Sequence, residues 1–305
     1  MLAALGMFHA SAQEPSASAT FHTGVSLVHV DAQATSEDGR VLGDLQKADF
    51  RVFENSKPQA IVEFAAEEQP LDLILLFDIS GSMQFVVGEV SSAAHEAFRA
   101  LKPGDRVSVM VFNDHASVIS PFSDNLGDAE QAIRDKVLTM PFGGGTLIQQ
   151  AVDDAARRFL NEPRSERRRA VLIVTDNFGT RTRRADSVVQ DFWEADAILS
   201  GLIVNNRKQA ALEGVSVILN PTLLAMQAGM SGIAQQTGGD TMRAEDPASA
   251  FEKAISRIRT RYSLYYAMPE GKHGAKRTIR VELSKEAARR NPKTKIRART
   301  GYIVP

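Results

Sequence analysis

The run LDLILLF at 71–77 is almost continuously apolar, the pattern of a strand covered on both faces inside a parallel sheet. After it, apolar residues recur at helical spacing from about Val87 to Leu101, with Val90, Ala94, Ala97, Phe98 and Leu101 on one side. Lys102-Pro103-Gly104-Asp105 then turns the chain into a strand over Arg106–Phe112, with Val107, Val109 and Val111 on one face. Ser117–Phe122 reads as an edge strand, and helices follow at about 127–138 and 147–160. Ala170–Thr175 and Ile198–Val204 are apolar strands separated by a helix over 184–195. Helices at Leu223–Thr237 and Ala248–Arg259 close the series, and Asn206–Thr222 has no clear period. Strand and helix alternating in this way predict an α/β fold with a doubly wound, mostly parallel sheet and helices on both faces.

The flanks have a different rhythm. Val28, Val30 and Ala32 alternate with His29 and Asp31, a Ser-Glu-Asp-Gly turn follows, and short strands at 49–53 and 61–64 surround an Asn55-Ser56 turn. Beyond Arg261, YSLYYAM and Thr278–Leu283 read as strands. A third has Ile296, Ala298 and Thr300 facing away from Lys295, Arg297 and Arg299. Neither flank has enough strands to bury a core alone, so the pattern predicts one β-sandwich assembled from N- and C-terminal segments. The expected organisation is a leader remnant and disordered tether over 1–20, N-terminal sandwich strands over 21–67, the α/β domain over 68–260, and completing strands over 261–305.

Composition narrows the class. Of 305 residues, 43% are hydrophobic and 24% charged, with a net charge of −1, which suits a soluble globular protein and gives no reason to expect a nucleic-acid partner. The exception is the segment from Arg257 to Arg299, where fourteen Lys and Arg face three Glu; it reads as paired strands with one solvated basic face. With no cysteine in the chain, disulfides, thiolate metal sites and cysteine nucleophiles are excluded. The start, MLAALGMFHASAQEPSASA, places an apolar run before the small-x-small triplet Ala10-Ser11-Ala12 and reads as the end of a longer export leader. The expected location is periplasmic or extracellular; a merely disordered N-terminus is the other reading. No stretch approaches the length of a transmembrane segment.

The chemistry concentrates at predicted strand ends, where open α/β sheets bind their ligands. Asp78-Ile79-Ser80-Gly81-Ser82 follows the 71–77 strand, Gly143-Gly144-Gly145-Thr146 precedes the 147–160 helix, and Thr175-Asp176-Asn177 ends the 170–175 strand. Singly, each reads as a helix cap or an Asx turn. Together, and in this order, they offer only oxygen donors: the carboxylates of Asp78 and Asp176 and the hydroxyls of Ser80, Ser82 and Thr146. Oxygen donors select hard ions, Mg²⁺ first with Mn²⁺ or Ca²⁺ possible, whereas zinc and copper recruit His or Cys. Two carboxylates only just balance such an ion, so an acidic group from a partner is drawn to any open coordination position.

These residues resemble a known pattern. Asp78, Ser80 and Ser82 match the Asp-x-Ser-x-Ser motif of the von Willebrand factor type A domain with its metal-ion-dependent adhesion site, Thr146 its separate threonine, and Asp176 its second aspartate. VFENSKPQAIVEF, MPFGGGTLIQQAV, IAQQTGGDTMRA and IRARTGYIV are similar to landmarks of a bacterial branch abundant in acidobacterial exported proteins, over about 21–304. The resemblance implies Mg²⁺-dependent binding of a protein ligand, with Ser80, Ser82 and Thr146 on the ion and Asp78 and Asp176 acting directly or through water. Asn177 departs from it, standing where the family usually has glycine; asparagine tolerates the left-handed backbone such a turn needs.

An oxygen-ligated Mg²⁺ also serves hydrolases. However, the six histidines fall outside the three clusters, and only His115, in the turn after the 106–112 strand, approaches them. Gly143–Thr146 lacks the Lys-Ser/Thr of a phosphate loop, and no Gly-x-Ser-x-Gly elbow is present. The expectation is therefore a binding module and not an enzyme, with a structural scaffold as the main alternative and an Mg²⁺-dependent hydrolase as the lesser one. Arg181, Arg183 and Arg184 are expected to rim the ligand face, and Arg164–Arg169 to form a solvated loop before the 170–175 strand. Phe50, Phe53, Tyr262 and Tyr266 read as sandwich core or rim, and Met226, Met230 and Met242 as core.

Overall fold

The computed structural model describes residues 26–66, 69–163, 166–179, 185–204 and 229–305. Outside them lie the expected leader and tether, His9, His22, Arg164, the Asn206–Thr222 excursion, Met226, and Arg181, Arg183 and Arg184.

The apolar run forms β5 (Leu71–Asp78), every residue of which is buried. It lies at the centre of a six-stranded sheet with β6 (Arg106–Phe112), β7 (Ala116–Ser123), β8 (Arg168–Thr175), β9 (Ala197–Val204) and β10 (Thr241–Ala244), in the order β10-β9-β8-β5-β6-β7. All neighbours pair in parallel except β7, which is antiparallel to β6 at the edge. The strand order reverses between β5 and β8, so these two flank the switch point at which such sheets bind ligands. Leu73, Leu75 and Phe77 pack under helices α1 (Gln84–Phe98), α2 (Leu126–Gln131) and α6 (Pro247–Arg259). Ile74 and Leu76 face α3 (Ile148–Leu160), α4 (Ala185–Glu194) and α5 (Met230–Thr237). This period-two division of one apolar strand between two cores is the doubly wound arrangement its sequence predicts.

Two antiparallel four-stranded sheets carry the flanks. Strands β1 (Leu27–Thr35), β4 (Ile61–Ala65), β11 (Tyr262–Ala267) and β13 (Lys295–Ala298) form one, in the order β13-β1-β11-β4. The other has the order β14-β12-β2-β3, from β2 (Phe50–Glu54), β3 (Lys57–Gln59), β12 (Lys276–Leu283) and β14 (Gly301–Ile303). Each sheet joins N- and C-terminal strands: β1 pairs with β11 and β13, and β2 with β12. Val28, Val30, Phe50, Val52, Tyr262, Tyr266 and Ile279 fill the shared core. Phe53 instead lies at the rim, under the Arg280 guanidinium.

Several elements differ from the sequence reading. The expected last strand is two, because the chain leaves one sheet after Ala298 and enters the other at Gly301. The four-residue β10 and helix α7 (Lys285–Arg290, capped by the Ser284 hydroxyl) are additional. The 127–138 helix continues from α2 as a π-helical turn over Ala132–Val137.

The largest correction concerns Arg164–Arg169. Arg168 and Arg169 are not in a solvated loop but buried in β8. The outer face of β1 presents His29, Asp31, Gln33 and Thr35 towards the α/β sheet, and Arg168 meets Asp31 there at 3.1 Å. Its guanidinium also donates to the Arg259 carbonyl at 2.9 Å and the Ser263 hydroxyl at 3.4 Å. His29 bridges Asp31 and Asp196, 2.9 Å from the latter, and stacks on Tyr265. Burial alone would raise Asp31; Arg168 and His29 reverse this and hold its carboxyl well below the usual range.

Candidate functional site

The site begins where β5 runs out of apolar residues. Asp78 ends the strand fully buried, and Ile79 stays in register through its N–H on the Phe112 carbonyl at 2.9 Å. The backbone then leaves the sheet: Ser80 is extended, and Gly81–Met83 form one 3-10 turn leading into α1. That geometry brings Ser80 Oγ within 3.3 Å of Ser82 Oγ. From the neighbouring strand, Asp176 accepts a hydrogen bond from Ser82 Oγ at 2.6 Å. Four of the five expected site residues are therefore connected across the switch point. Asn177 has a left-handed φ of 64°, as expected of the residue replacing glycine, and its buried Oδ1 has no hydrogen-bond partner among the described residues.

The loop that carries Thr146 is tied to the same strand ends. Gly143 N–H donates to the Ile79 carbonyl, between Asp78 and Ser80, at 2.9 Å, and Leu147 N–H donates to the Asn113 carbonyl at 2.9 Å. Asn113 Nδ2 holds the Gly143 carbonyl at 3.2 Å. Gly144, at φ 84°, sits so close to Asn113 and Asp114 that a side chain there meets both. On the other side, a Cβ on Gly179 would lie 2.4 Å from the Thr146 carbonyl oxygen. The threonine loop is thus wedged between the end of β6 and the segment following Asp176. Gly179→Ala is expected to push Thr146 out of place and weaken ion binding about tenfold, with global stability reduced by no more than about 1 kcal/mol. Isothermal titration calorimetry and thermal unfolding of the variant check the two halves separately.

Electrostatics single out Asp78. Its Oδ2 accepts from Thr175 Oγ1 at 2.7 Å and its Oδ1 from Ser80 N–H at 2.9 Å, both of which favour the ionised form. Burial outweighs them, with a smaller push from the charge on Asp176, and raises the carboxyl to about 6. No basic side chain pairs with Asp78 or Asp176 among the described residues. Two buried neighbouring carboxylates without a cation, beside clustered hydroxyls, are a donor set that fits a hard divalent ion. No group of three or more His, Cys, Asp or Glu with metal-binding geometry exists among the described residues, so hydroxyl oxygens must supply much of any coordination shell.

Thr175, Asn113 and Asp114 were not among the expected site residues. Thr175 belongs to the third polar cluster, and its position at the carboxyl end of β8 is a usable signal. The Asn113-Asp114 turn was visible only as a loop. His115 is exposed in that turn.

An open α/β sheet carrying an oxygen-rich cluster across its switch point defines a class, and comparison with known proteins agrees with it. Residues 73–179 match the family model of the von Willebrand factor type A domain, a span holding all five expected site residues. Over these residues, about a third of its length, the chain is similar to that family. Among solved structures, the chain is similar to an aerotolerance-related membrane protein from Bacteroides fragilis, at 16% identity and TM-score 0.46, covering 62% of this chain and 98% of that one. The conserved hypothetical protein BatB from Bacteroides thetaiotaomicron is similar at 20% identity and TM-score 0.44, with coverage of 62% and 98%. A von Willebrand factor type A protein from Catenulispora acidiphila is similar over 93% of this chain and 75% of its own, at 11% identity and TM-score 0.48. No curated protein matches. No helix among the described residues is long and apolar enough to cross a membrane.

Proposed function

We propose that the protein is a non-catalytic, divalent-metal-dependent binding module that captures an acidic group of a protein partner. The observation that carries this reading is the contact of Ser82 with Asp176, which joins the Asp78 loop to the neighbouring strand in one cluster. Ser80, Ser82 and Thr146 would hold Mg²⁺ through their hydroxyls, with Asp78 and Asp176 binding directly or through water; Mn²⁺ or Ca²⁺ would fit the same oxygens. The ion supplies a positive centre for an incoming carboxylate. The chain's own contribution is to fix the donors: Thr175 and the Ser80 N–H orient Asp78, while Phe178 N–H orients Asp176 at 3.0 Å. An exported setting, in which such a partner would be met outside the cytoplasm, is part of the proposal.

The test is a pull-down from the native envelope fraction in Mg²⁺ or in excess chelator. A partner retained in Mg²⁺, and lost both on chelation and with folded Asp78→Ala, supports metal-dependent capture. Retention under all conditions assigns a scaffold role, in which the ion at most stabilises the loops.

A further inference from the structure

Seven of the fourteen cations in the basic C-terminal portion fall into two groups. Arg257, Arg259, Arg297 and Arg299 turn into the junction between the sheets and pair with Asp240, Asp105 and Asp196. Lys276, Arg280 and Lys295 remain exposed. Lys276 and Lys295 have no carboxylate partner among the described residues, and Arg280 meets only Glu282, itself half exposed.

These three cations have a built setting. Lys276 Nζ lies 5.0 Å from the Trp193 ring centre, and the Arg280 guanidinium 4.2 Å from that of Phe53. Aromatic faces restrict where both charges sit. Trp193 is itself fixed, its Nε1 donating to the Gln236 carbonyl at 3.0 Å. Gly301 leaves space for its ring, since a Cβ there would lie 2.7 Å from it.

The cations border two hollows, of about 470 and 410 Å³, which adjoin at Ile279, Arg280 and Thr300. Together they make one groove, running from Trp193 and Lys276 past Arg280 to Lys295. Its far wall includes Thr241 of β10, an edge strand bonded on one side only among the described residues. A free strand edge offers backbone pairing to an extended peptide, and the cations offer carboxylate recognition.

We propose that this groove docks an extended acidic segment of a protein partner. Asp240 and Glu282 at its margins oppose a polyphosphate, whose charge is continuous, but leave room for carboxylates opposite the three cations. The groove uses none of the candidate metal ligands, so it acts without the ion.

Trp193 is the only tryptophan of the chain and reports occupancy directly. The experiment titrates the full chain, at low salt and in excess chelator, with a peptide of alternating Glu and Ser, following tryptophan emission and the anisotropy of a labelled peptide. Saturable binding is expected, weakened roughly tenfold by Lys276→Glu/Arg280→Glu/Lys295→Glu. Lys295→Glu alone should show a smaller loss in the same direction, and Asp78→Ala should bind as the parent does. A Gly-Ser peptide binding equally well, an unchanged charge-reversed variant, or tighter binding of inorganic polyphosphate overturns the proposal. Loss of peptide with Asp78→Ala but not with the charge-reversed variant also overturns it, and leaves the metal reading standing.

Discussion

Arg168→Met is expected to destabilise the protein by about 3 kcal/mol, because it strands a buried carboxylate. Arg168 is fully buried, and its guanidinium joins Asp31 of β1 to the start of β8 and to the carbonyls of Arg259 and Arg261. The methionine conserves much of the volume and removes the charge. Asp31 would then keep His29 and Arg261 as neighbours, which sets the loss at the lower end for a broken buried pair. Urea unfolding should report a lower midpoint. Asp31→Asn added to Arg168→Met should recover a large part of the loss, since no unpaired charge then remains. A loss below about 1 kcal/mol would mean that the junction contributes little to holding the sandwich on the α/β sheet.

Asp78→Asn is expected to act in the opposite direction in ion-free protein. The Asp78 carboxyl titrates near 6 when folded, against an ordinary value of 3.8. Its charged form therefore costs folding on the order of 3 kcal/mol above pH 6. For a raised folded pKa, the favourable contribution is fully present below the unfolded value and disappears as pH rises through the folded one. Ion-free protein should thus gain stability as pH falls from about 6 towards 4, apart from other titrations. Asparagine keeps the shape and can still accept from Thr175, so the variant should gain part of that energy at pH 8 and lose the pH dependence. It should also lose stabilisation by Mg²⁺. Thermal unfolding of both proteins across pH, with and without the ion, measures all three effects.

The α/β architecture was legible because LDLILLF and the 170–175 run are apolar enough to demand cover on both faces, and the helices between them keep a 3.6-residue stripe. The sandwich was legible because two strand-poor flanks had to share a core. Strand β10 escaped because Thr241-Met242-Arg243-Ala244 is short, and its edge position imposes no apolar alternation. The split of the last strand escaped because Ile296, Ala298 and Thr300 continue one alternation through the crossing point. Arg168 escaped for a stronger reason: its partner lies 137 positions away on another sheet, and a local reading of clustered arginines favours solvent. At the candidate site, Asp78, Ser80, Ser82 and Asp176 could be named from strand ends and donor chemistry. The Thr175 hydroxyl acts between two strand ends and the Asn113 clamp between two loops, contacts that spacing alone does not encode.

The most direct measurement is calorimetric titration of the full chain with Mg²⁺, and then with Mn²⁺ and Ca²⁺, beside thermal unfolding under the same conditions. The account predicts saturable heat and a raised unfolding temperature for the parent protein, both absent in Asp78→Asn. No heat and no change in unfolding temperature with any of the three ions at millimolar concentration would contradict it.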